Sequence, residues 1–509
     1  MNTSARRLSA LLVLIPLSFF AAACGGGGST PPPPPPPSGK FSNASLSGQY
    51  AFSMTGTELC GGVGSLFTRI GTFTADGNGN ITTGLEDVNV CPGTSTLQFS
   101  GGRYSIGGDG RGVLQLANNT GTTDYNIALS TTSAGMIIQT DAAATASGSF
   151  QRQTASAFTN AAISGGYVFD FNGVDVNGSN VNPASYIGRF DADGASGVGN
   201  GLYDSNIGGT ASGQQAFPSG AFYSLDSNGN GTNYGRGTAV IAGRTCAFYV
   251  VDSTRLKFLT TDFPSALAGD AYAQQNIAFT PSSLNGSFAF LIGGSSSNGP
   301  ITTAGRFSAD GNGNISNVIL DENNSGTVTL LPTGTVTGSY TVDSNQFGGG
   351  TVSWTDSTVG TFSFIFYLIS PTKAVFQEVD SNIVSDGTFT AQTTTPITAA
   401  SMAGDFVLGW SAIANAEEDY VGQFTLNSSG SATGLADFNV FSAGQPFLAV
   451  PLSGTLTVGG DGTGANTFEA TLQGNSPLHF TAYAVDPNTV LLVGTDNNIV
   501  IAGPLVRQP

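Results

Sequence analysis

The residues best suited to chemistry lie in a run of Asp, Asn and Gly, ADGNGNITTGLEDVN, at residues 75–89. Asp76, Asn78 and Asn80 offer oxygen atoms at alternate positions, as the first half of a calcium loop does. The same letters are typical of a hairpin turn, because Asp-Gly and Asn-Gly fit its backbone. An EF-hand loop also needs Gly at its sixth position and Glu at its twelfth. This run has Ile81 and Asp87 there.

The run recurs four times, and its copies favour the turn. The second copy has Ala195 and Gly197 in place of the two Asn, and the fourth begins with Asn427 in place of Asp. A required metal site would keep its ligands in every copy. We therefore predict a turn, no metal and no cofactor. The alternative is a calcium site formed by Asp76, Asn78 and Asn80, and again by Asp310, Asn312 and Asn314.

An Asp-x-Asn pair at the far end of the same strand persists in all four copies, and so does a second Asp later in each. The alternation with Leu85 and its equivalents puts the pair on one strand face. In an antiparallel meander, strands three and seven run the same way, so these side chains share a rim. We expect either a ligand-binding barrel mouth or polar caps at strand ends. The residues are Asp87, Asn89, Asp141, Asp204, Asn206, Asp262, Asp321, Asn323, Asp380, Asp437, Asn439 and Asp496.

Catalytic groups are scarce. The chain has one His, His479, so a Ser-His-Asp triad could exist in only one copy, and no nucleophile elbow accompanies it. The Gly-rich turns are not phosphate loops, because no helix or Lys follows them. Paired carboxylates acting as a hydrolase are the one enzymatic alternative. We predict that the protein is not an enzyme.

The four cysteines have different predicted roles. Cys60 and Cys91 lie in loops at the same end of the first copy, between strands one and two and between strands three and four. In an oxidising compartment we predict a disulfide between them; two buried thiols are the alternative. Cys246 falls on an apolar strand and is interpreted as a core residue. Cys24 belongs to the N-terminal signal discussed below.

The elements that carry these residues repeat with a period of about 118. The strand openings LSGQYAF, ISGGYVF, LNGSFAF and MAGDFVL place Gly at 48, 165, 286 and 404, with spacings of 117, 121 and 118. About eight short strands with Gly-rich turns fit each period. We predict four tandem repeats, at residues 43–155, 156–277, 278–394 and 395–509, joined by short linkers and partly docked on one another.

The predicted fold is all-β and antiparallel, with each repeat an up-and-down β-barrel; β-sandwiches are the alternative. The segments LSGQYAF and GTFTADGNGNITTG resemble the start of avidin-like and other calycin-type barrels, which open with Gly-x-Trp and then place an acid-Gly turn. The resemblance implies the architecture only. Avidin-like biotin pockets use several Trp per barrel, whereas this chain has only Trp354 and Trp410.

The first 24 residues read as a signal peptide: basic MNTSARR, apolar LSALLVLIPLSFF, then AAAC ending at Cys24. This resembles the lipobox of bacterial lipoproteins, which implies lipidation of Cys24, although Ala21 replaces the usual Leu. Cleavage by an ordinary signal peptidase is the alternative. In that family Gly25, not being Asp, implies sorting to the outer membrane. Residues 25–42 read as a Gly/Pro-rich tether.

The acidic net charge argues against partners that are themselves anionic. The net charge is −18 and the pI about 4.1, which argues against nucleic acid and against anionic lipid surfaces. We therefore predict a non-enzymatic, lipid-anchored protein of the cell envelope, on the periplasmic face or the cell surface, whose four barrels serve binding or structural interaction. A surface adhesin or glycan-binding array is the alternative, with Tyr203 and Phe438 as candidate aromatic contacts. The expected partners are the membrane and a small ligand, glycan or envelope protein.

Overall fold

Alternating apolar and polar residues between Gly-rich turns form strands along nearly the whole described chain. The structure, a computed structural model, describes residues 39–509 apart from 92, 178–179, 228–232, 332–335, 358–359, 394–395, 457, 460–462 and 467–476. The strands fall into four sheets, which are called repeats one to four below.

The first two repeats contain 18 strands. Repeat one consists of β1 (Ser47–Cys60), β2 (Val63–Asp76), β3 (Asn80–Val90), β4 (Gly93–Ile106), β5 (Arg111–Asn118), β6 (Gly121–Thr131), β7 (Ala134–Gln139) and β8 (Ala144–Arg152). Repeat two consists of β9 (Ser164–Asn177), β10 (Asn180–Asp193), β11 (Val198–Ile207), β12 (Thr210–Ala211), β13 (Gln215–Ala216), β14 (Phe222–Leu225), β15 (Arg236–Ile241), β16 (Arg244–Asp252), β17 (Arg255–Thr260) and β18 (Ala266–Ala273).

The last two repeats follow the same plan. Repeat three consists of β19 (Asn285–Ser296), β20 (Gly299–Asp310), β21 (Asn314–Asn324), β22 (Thr327–Leu331), β23 (Thr337–Val342), β24 (Gly349–Asp356), β25 (Gly360–Ser370), β26 (Lys373–Glu378) and β27 (Ile383–Ala391). Repeat four consists of β28 (Gly404–Ile413), β29 (Glu417–Leu426), β30 (Ser431–Val440), β31 (Phe447–Thr455), β32 (Thr463–Asn466), β33 (Phe480–Asp486), β34 (Thr489–Gly494) and β35 (Val500–Arg507).

Short helical turns precede the first strand of each repeat. They are the 3-10 turns Asn43–Ser45, Ala155–Ala157, Asn160–Ala162 and Pro281–Ser283, and the α-helix α1 (Ala399–Met402). No helix among the described residues has the length and apolar character needed to cross a bilayer.

Every repeat is an antiparallel meander whose first strand also pairs with its last. Repeat one closes completely as an eight-stranded barrel. Repeat three closes through pairing of β20 with β21, with β22 attached at its edge. The edges of repeat two meet at one bridge, between Gly197 and Phe222. Repeat four has β31 and β32 at its edges. The prediction of four antiparallel all-β units of about eight strands is confirmed.

Aromatic side chains fill the interior of each repeat. In repeat one Tyr50, Phe52, Phe73 and Phe150 pack ring against ring, and all four are fully buried. Trp354 and Trp410 lie in the cores of repeats three and four. The Gly of each strand opening lies outside these cores and fixes the backbone instead, since Gly48, Gly165, Gly286 and Gly404 all have φ between +91° and +151°, a conformation that disfavours other residues.

Candidate functional site

The Asn of each Asp-x-Asn pair binds the backbone of another repeat. Asn89 Nδ2 donates to the carbonyls of Thr260 at 2.8 Å and Ser265 at 2.7 Å in repeat two. The equivalent amides are at most 2% exposed and bind in the same way. Asn206 donates to Glu378 and Ile383, Asn323 to Gly494, Asp496 and Ile499, and Asn439 to Gln139, Asp141 and Ala144. The last set lies in repeat one, so repeat four docks back onto the start of the array.

The Asp of each pair is bound by the same neighbouring repeat. In three interfaces a buried Tyr hydroxyl donates to the carboxylate at 2.6–2.8 Å: Tyr249 to Asp87, Tyr367 to Asp204 and Tyr483 to Asp321. Burial raises the pKa of Asp204 to about 6 and also raises the pKa of Asp321. These carboxylates therefore already have hydrogen-bond partners in the contacts between repeats.

The fourth interface replaces this Tyr with a cation. Ala128 occupies the corresponding place on β6, and the Arg111 guanidinium lies 3.3 Å from Asp437. Arg236 makes the analogous ion pair with Asp87, at 2.7 Å, in the first interface. In all four interfaces, the Asp on the outer face of β3, β11, β21 or β30 thus binds a hydroxyl group or a cation of the neighbouring repeat.

Four Gln residues that the sequence did not single out complete the interfaces. Each follows the last strand of its repeat, and its amide donates to carbonyls of the next repeat at 2.6–3.2 Å. They are Gln153, Gln274, Gln392 and Gln508, and Gln508 donates to Asp109 and Leu129 of repeat one. In the sequence each of these Gln residues stands five positions after a Gly, at 148, 269, 387 and 503, but such a strand pattern does not reveal the repeat to which a side chain binds.

A cluster of buried apolar side chains lies in each interface between neighbouring repeats. One buried cluster joins repeats one and two around Ile70 and Tyr249, and another joins repeats two and three around Ile187 and Tyr367. A third cluster joins repeats three and four, and a fourth joins repeats four and one through Val407, Val421, Ala128 and Ile138. Together with the polar contacts, these clusters arrange the four repeats as a closed ring.

The Asp-x-Asn pairs do not lie at open barrel mouths. Their side chains project from the outer face of the strand and are buried against the neighbouring repeat, as Asp87 is with an exposure of 2%. The alternation in the sequence placed them on one face correctly, but the period of two gives no sign of whether that face points into the barrel or out of it.

The second set of Asp residues caps hairpins. Each carboxylate accepts the backbone N–H of the residue 17 positions earlier, at 2.7–3.4 Å: Asp141 from Asp124, Asp262 from Thr245, Asp380 from Ser363 and Asp496 from His479. Burial raises the pKa of Asp141 and that of Asp380. This is the polar-cap arrangement, and it repeats in all four copies.

The Asp-Asn-Gly run is a turn closed by its own side chain. Asp76 Oδ2 accepts a hydrogen bond from the Asn80 side-chain amide, and Oδ1 accepts the backbone N–H groups of Asn80 and Asn78. These bonds, that of the Asn80 side chain most of all, lower the pKa of Asp76. Asp310 binds Asn312 and Asn314 in the same way. Asp193 and Asn427 each hold their own turn with the same bonds to backbone N–H groups, so an amide oxygen serves as well as a carboxylate.

The cysteines occupy three settings. Cys60 and Cys91 are joined in a disulfide at one end of repeat one, with their Cα atoms 5.8 Å apart. Cys246 is buried in the core of repeat two, and burial raises the pKa of its thiol. Cys24 and the tether up to residue 38 lie outside the described residues.

A cavity of about 690 Å³ lies at the centre of the ring, where residues of all four repeats meet. Repeats one and four line it with hydroxyl, amide and apolar groups, including Ser53, Ser149, Gln151, Ser411 and Met136. Repeats two and three supply every charged side chain that lines it: Asp170, Asp270, Arg255 and Lys373. The pseudo-fourfold ring thus lines an open cavity whose charged side chains come from repeat two and, through Lys373, from repeat three.

The charges around this cavity are coupled. Asp270 forms ion pairs with Arg255 at 2.8 Å and with the buried Lys257 at 3.5 Å, and these cations outweigh burial and lower the pKa of Asp270. Lys257 also donates to Ser53 and Ser149 of repeat one, and burial lowers its pKa to about 8. Burial, followed by the charge of Asp270, raises the pKa of Asp170 to about 7.

The candidate aromatic and catalytic residues have protein partners of their own. Tyr203 stacks on Tyr186 and its hydroxyl binds Gln215, and Phe438 is sandwiched between Tyr420 and Phe447. His479 Nδ1 lies 2.7 Å from Asp496, the same residue that caps its backbone. This arrangement orients an imidazole at a hairpin.

Comparison with known proteins yields distant structural likenesses only. No protein-family model matches the chain, and no curated protein sequence matches it. Among solved structures, the chain is similar to a mutant of the vaccine antigen transferrin binding protein B from Haemophilus parasuis Hp5, with 10% identity over 74% of this chain and 84% of that one and a TM-score of 0.21. It is also similar to intact Ap-TbpB with its N and C lobes, with 10% identity over 91% and 77% and a TM-score of 0.17. TM-scores of this size carry no information about a ligand or an activity of this chain.

Proposed function

We propose that this protein is a non-enzymatic, lipid-anchored cell-envelope protein whose four β-barrel repeats act together as one rigid ring for binding or structural interaction. The closed ring is the observation that carries the proposal. Each repeat gives its Asp, Asn and Gln side chains to the next, and Asn439 and Gln508 return to repeat one. Residues that persist in every copy therefore serve assembly of the body.

The ring favours one body over an array of independent binders. Avidity in an adhesin or glycan-binding array needs equivalent free sites on each repeat. The equivalent polar residues are instead buried between repeats, and Tyr203 and Phe438 pack on other aromatic rings. A hydrolase with paired carboxylates finds less support still, since the recurring Asp residues accept bonds from Tyr hydroxyls or backbone N–H groups.

Anchoring is tested by metabolic labelling with a fatty-acid analogue, followed by membrane fractionation. The wild-type protein should carry the label and sediment with membranes, and Cys24→Ala should lose both properties. Cys246→Ala is the matched control, because this buried thiol lies in the core of repeat two and should not affect labelling. An unlabelled wild-type protein in the soluble fraction would refute the anchor.

A further inference from the structure

We propose that the central cavity binds one small hydroxylated carboxylate, of the sugar-acid class, with Lys373 and Arg255 facing its carboxylate. This inference rests on the proposed function in one respect, since the cavity exists only while the ring is closed. It does not depend on the lipid anchor. A volume of about 690 Å³ is within the range of pockets that hold one small molecule.

Lys373 provides the attraction for an anion. Its ammonium lies 4.3 Å from the ring centroid of Tyr272 and forms no ion pair among the described residues. Burial lowers its pKa, and the more distant charges of Asp170 and Asp270 only partly offset that effect. The nearby Asp270 is already shared by Arg255 and Lys257. A cation that faces a cavity without a carboxylate partner is a group that a ligand carboxylate would satisfy.

Lysine is rare in this chain, so its presence at position 373 beside the cavity is unusual. The chain carries a net charge of −18 and has three lysines, Lys40, Lys257 and Lys373. Lys373 lines the central cavity, and the fully buried Lys257 lies behind it, bonded to the lining residues Ser53 and Ser149, although removing an ammonium group from water costs free energy. Burial lowers the pKa of both, that of Lys257 to about 8. Such perturbed groups in a cavity are typical of binding sites.

The other half of the cavity suits hydroxyl groups. Ser53 and Ser149 accept hydrogen bonds from Lys257, so their own hydrogens remain available to donate. Gln151 and Ser411 also line this side and can bind sugar hydroxyls as donors or acceptors. Met136 and Val506 add an apolar wall for carbon-bound hydrogens. A carboxylate with a polyhydroxylated body matches both halves.

The three lysines give a direct assay. In protein labelled with lysine carrying ¹³C at Cε, the three side-chain signals can be assigned by single Lys→Arg variants. We expect D-glucuronate to shift the Lys373 signal saturably at about millimolar concentration and to leave the exposed Lys40 signal unchanged. D-glucose, which lacks the carboxylate, and hexanoate, which lacks the hydroxyl groups, should each bind at least about tenfold more weakly.

Variants separate a binding site from a purely structural cluster. Lys373→Met should weaken glucuronate binding about tenfold or more, Lys373→Arg should retain it, and Lys40→Met is the matched control that should not change it. The absence of a saturable shift, equal binding of glucose or hexanoate, or unchanged binding by Lys373→Met would each overturn the proposal. If Lys373→Met fails to fold, the titrations of wild type and Lys373→Arg still show whether the cavity binds glucuronate.

Failure of this site can be distinguished from failure of the proposed function. Small-angle scattering of the same samples reports whether the ring is closed, and the fatty-acid label reports the anchor independently. A closed ring without glucuronate binding overturns the site alone. Glucuronate binding by a protein that carries no lipid supports the site and removes the anchor.

Discussion

The contact between repeats four and one should govern opening of the ring, and Asn439→Ala is the sharpest perturbation of it. The chain connects each of the other neighbouring repeats directly, whereas the described contacts between repeats four and one are all non-covalent. Asn439 is 2% exposed and its amide reaches the carbonyls of Gln139, Asp141 and Ala144 at 3.1, 3.4 and 2.9 Å. Removing the amide leaves these carbonyls without that donor in a buried interface.

The size of the effect follows from the bonds lost. An amide nitrogen carries two hydrogens, so the three contacts count as two hydrogen bonds worth about 1 kcal/mol each. Buried carbonyls left without this donor add about 1–2 kcal/mol. The expected loss is therefore about 3–4 kcal/mol at this interface, which corresponds to a roughly 150- to 1,000-fold larger population of the open ring.

Hydrogen exchange measured by mass spectrometry reports this opening locally. In Asn439→Ala, peptides covering residues 134–146 and 431–440 should exchange faster together, with no matching change in the cores of repeats two and three. Asn89→Ala removes the equivalent amide, with bonds of 2.8 and 2.7 Å, at an interface that the chain also connects. Its effect should be confined to the contact between repeats one and two. Asn298→Ala, at an exposed hairpin tip, is the control.

Two results would refute the reasoning. Unchanged exchange on both sides of the interface would mean that Asn439 contributes little to ring closure. Faster exchange throughout repeat four alone would mean that the amide stabilises its own repeat and does not hold the ring closed.

Three further predictions concern the disulfide, pH and calcium. Replacing Cys60 and Cys91 by Ser opens a loop with a sequence separation of 31 and should lower the free energy of unfolding by roughly 3–4 kcal/mol in denaturant titrations; equal stability of wild type with and without reductant would contradict this. Burial raises the pKa of Asp419 to about 7 from 3.8, so the folded state holds a proton that the unfolded state releases. Asp419 should therefore contribute a fall in stability of at most about 1.4 kcal/mol per pH unit as pH rises from about 4 to 7, in addition to the falls from other buried acids such as Asp170 and Asp204. Asp419→Asn should reduce the slope by this contribution, whereas an unchanged slope would exclude Asp419 as one of its sources. Asp76→Ala should lower the melting temperature and Asp76→Asn should lower it much less, as the Asn427 turn indicates, with calcium leaving the melting temperature of wild type unchanged; a rise with calcium that Asp76→Ala abolishes would restore the calcium alternative.

Much of the fold followed from local patterns. The openings around Gly48, Gly165, Gly286 and Gly404 marked each repeat because a positive φ there restricts the residue type. The turn at Asp76 could be separated from a metal loop because its copies keep the backbone chemistry and lose the acids. These features depend on neighbours within a few residues, which the sequence displays directly.

The roles of the recurring polar residues could not be predicted in this way. Asp87 and Asn89 lie on one strand face, as the alternation indicated, yet the direction of that face depends on how β3 packs against repeat two. In the sequence Gln153 is only a Gln five positions after Gly148, and its acceptors lie 81 and 97 positions away in the chain. Partners at such distances are set by packing between repeats.

The sequence by itself determined the four all-β repeats, their antiparallel meander and their turns, because these arise from short-range periodicity and backbone preference. Only the tertiary structure decided that the repeats close into a ring and that their shared Asp, Asn and Gln side chains hold it together. It also gathered Asp170, Asp270, Arg255 and Lys373 from two repeats around one central cavity. Similar repeats leave the mutual arrangement of their outer faces open, and burial of the apolar and polar patches between neighbours fixes it.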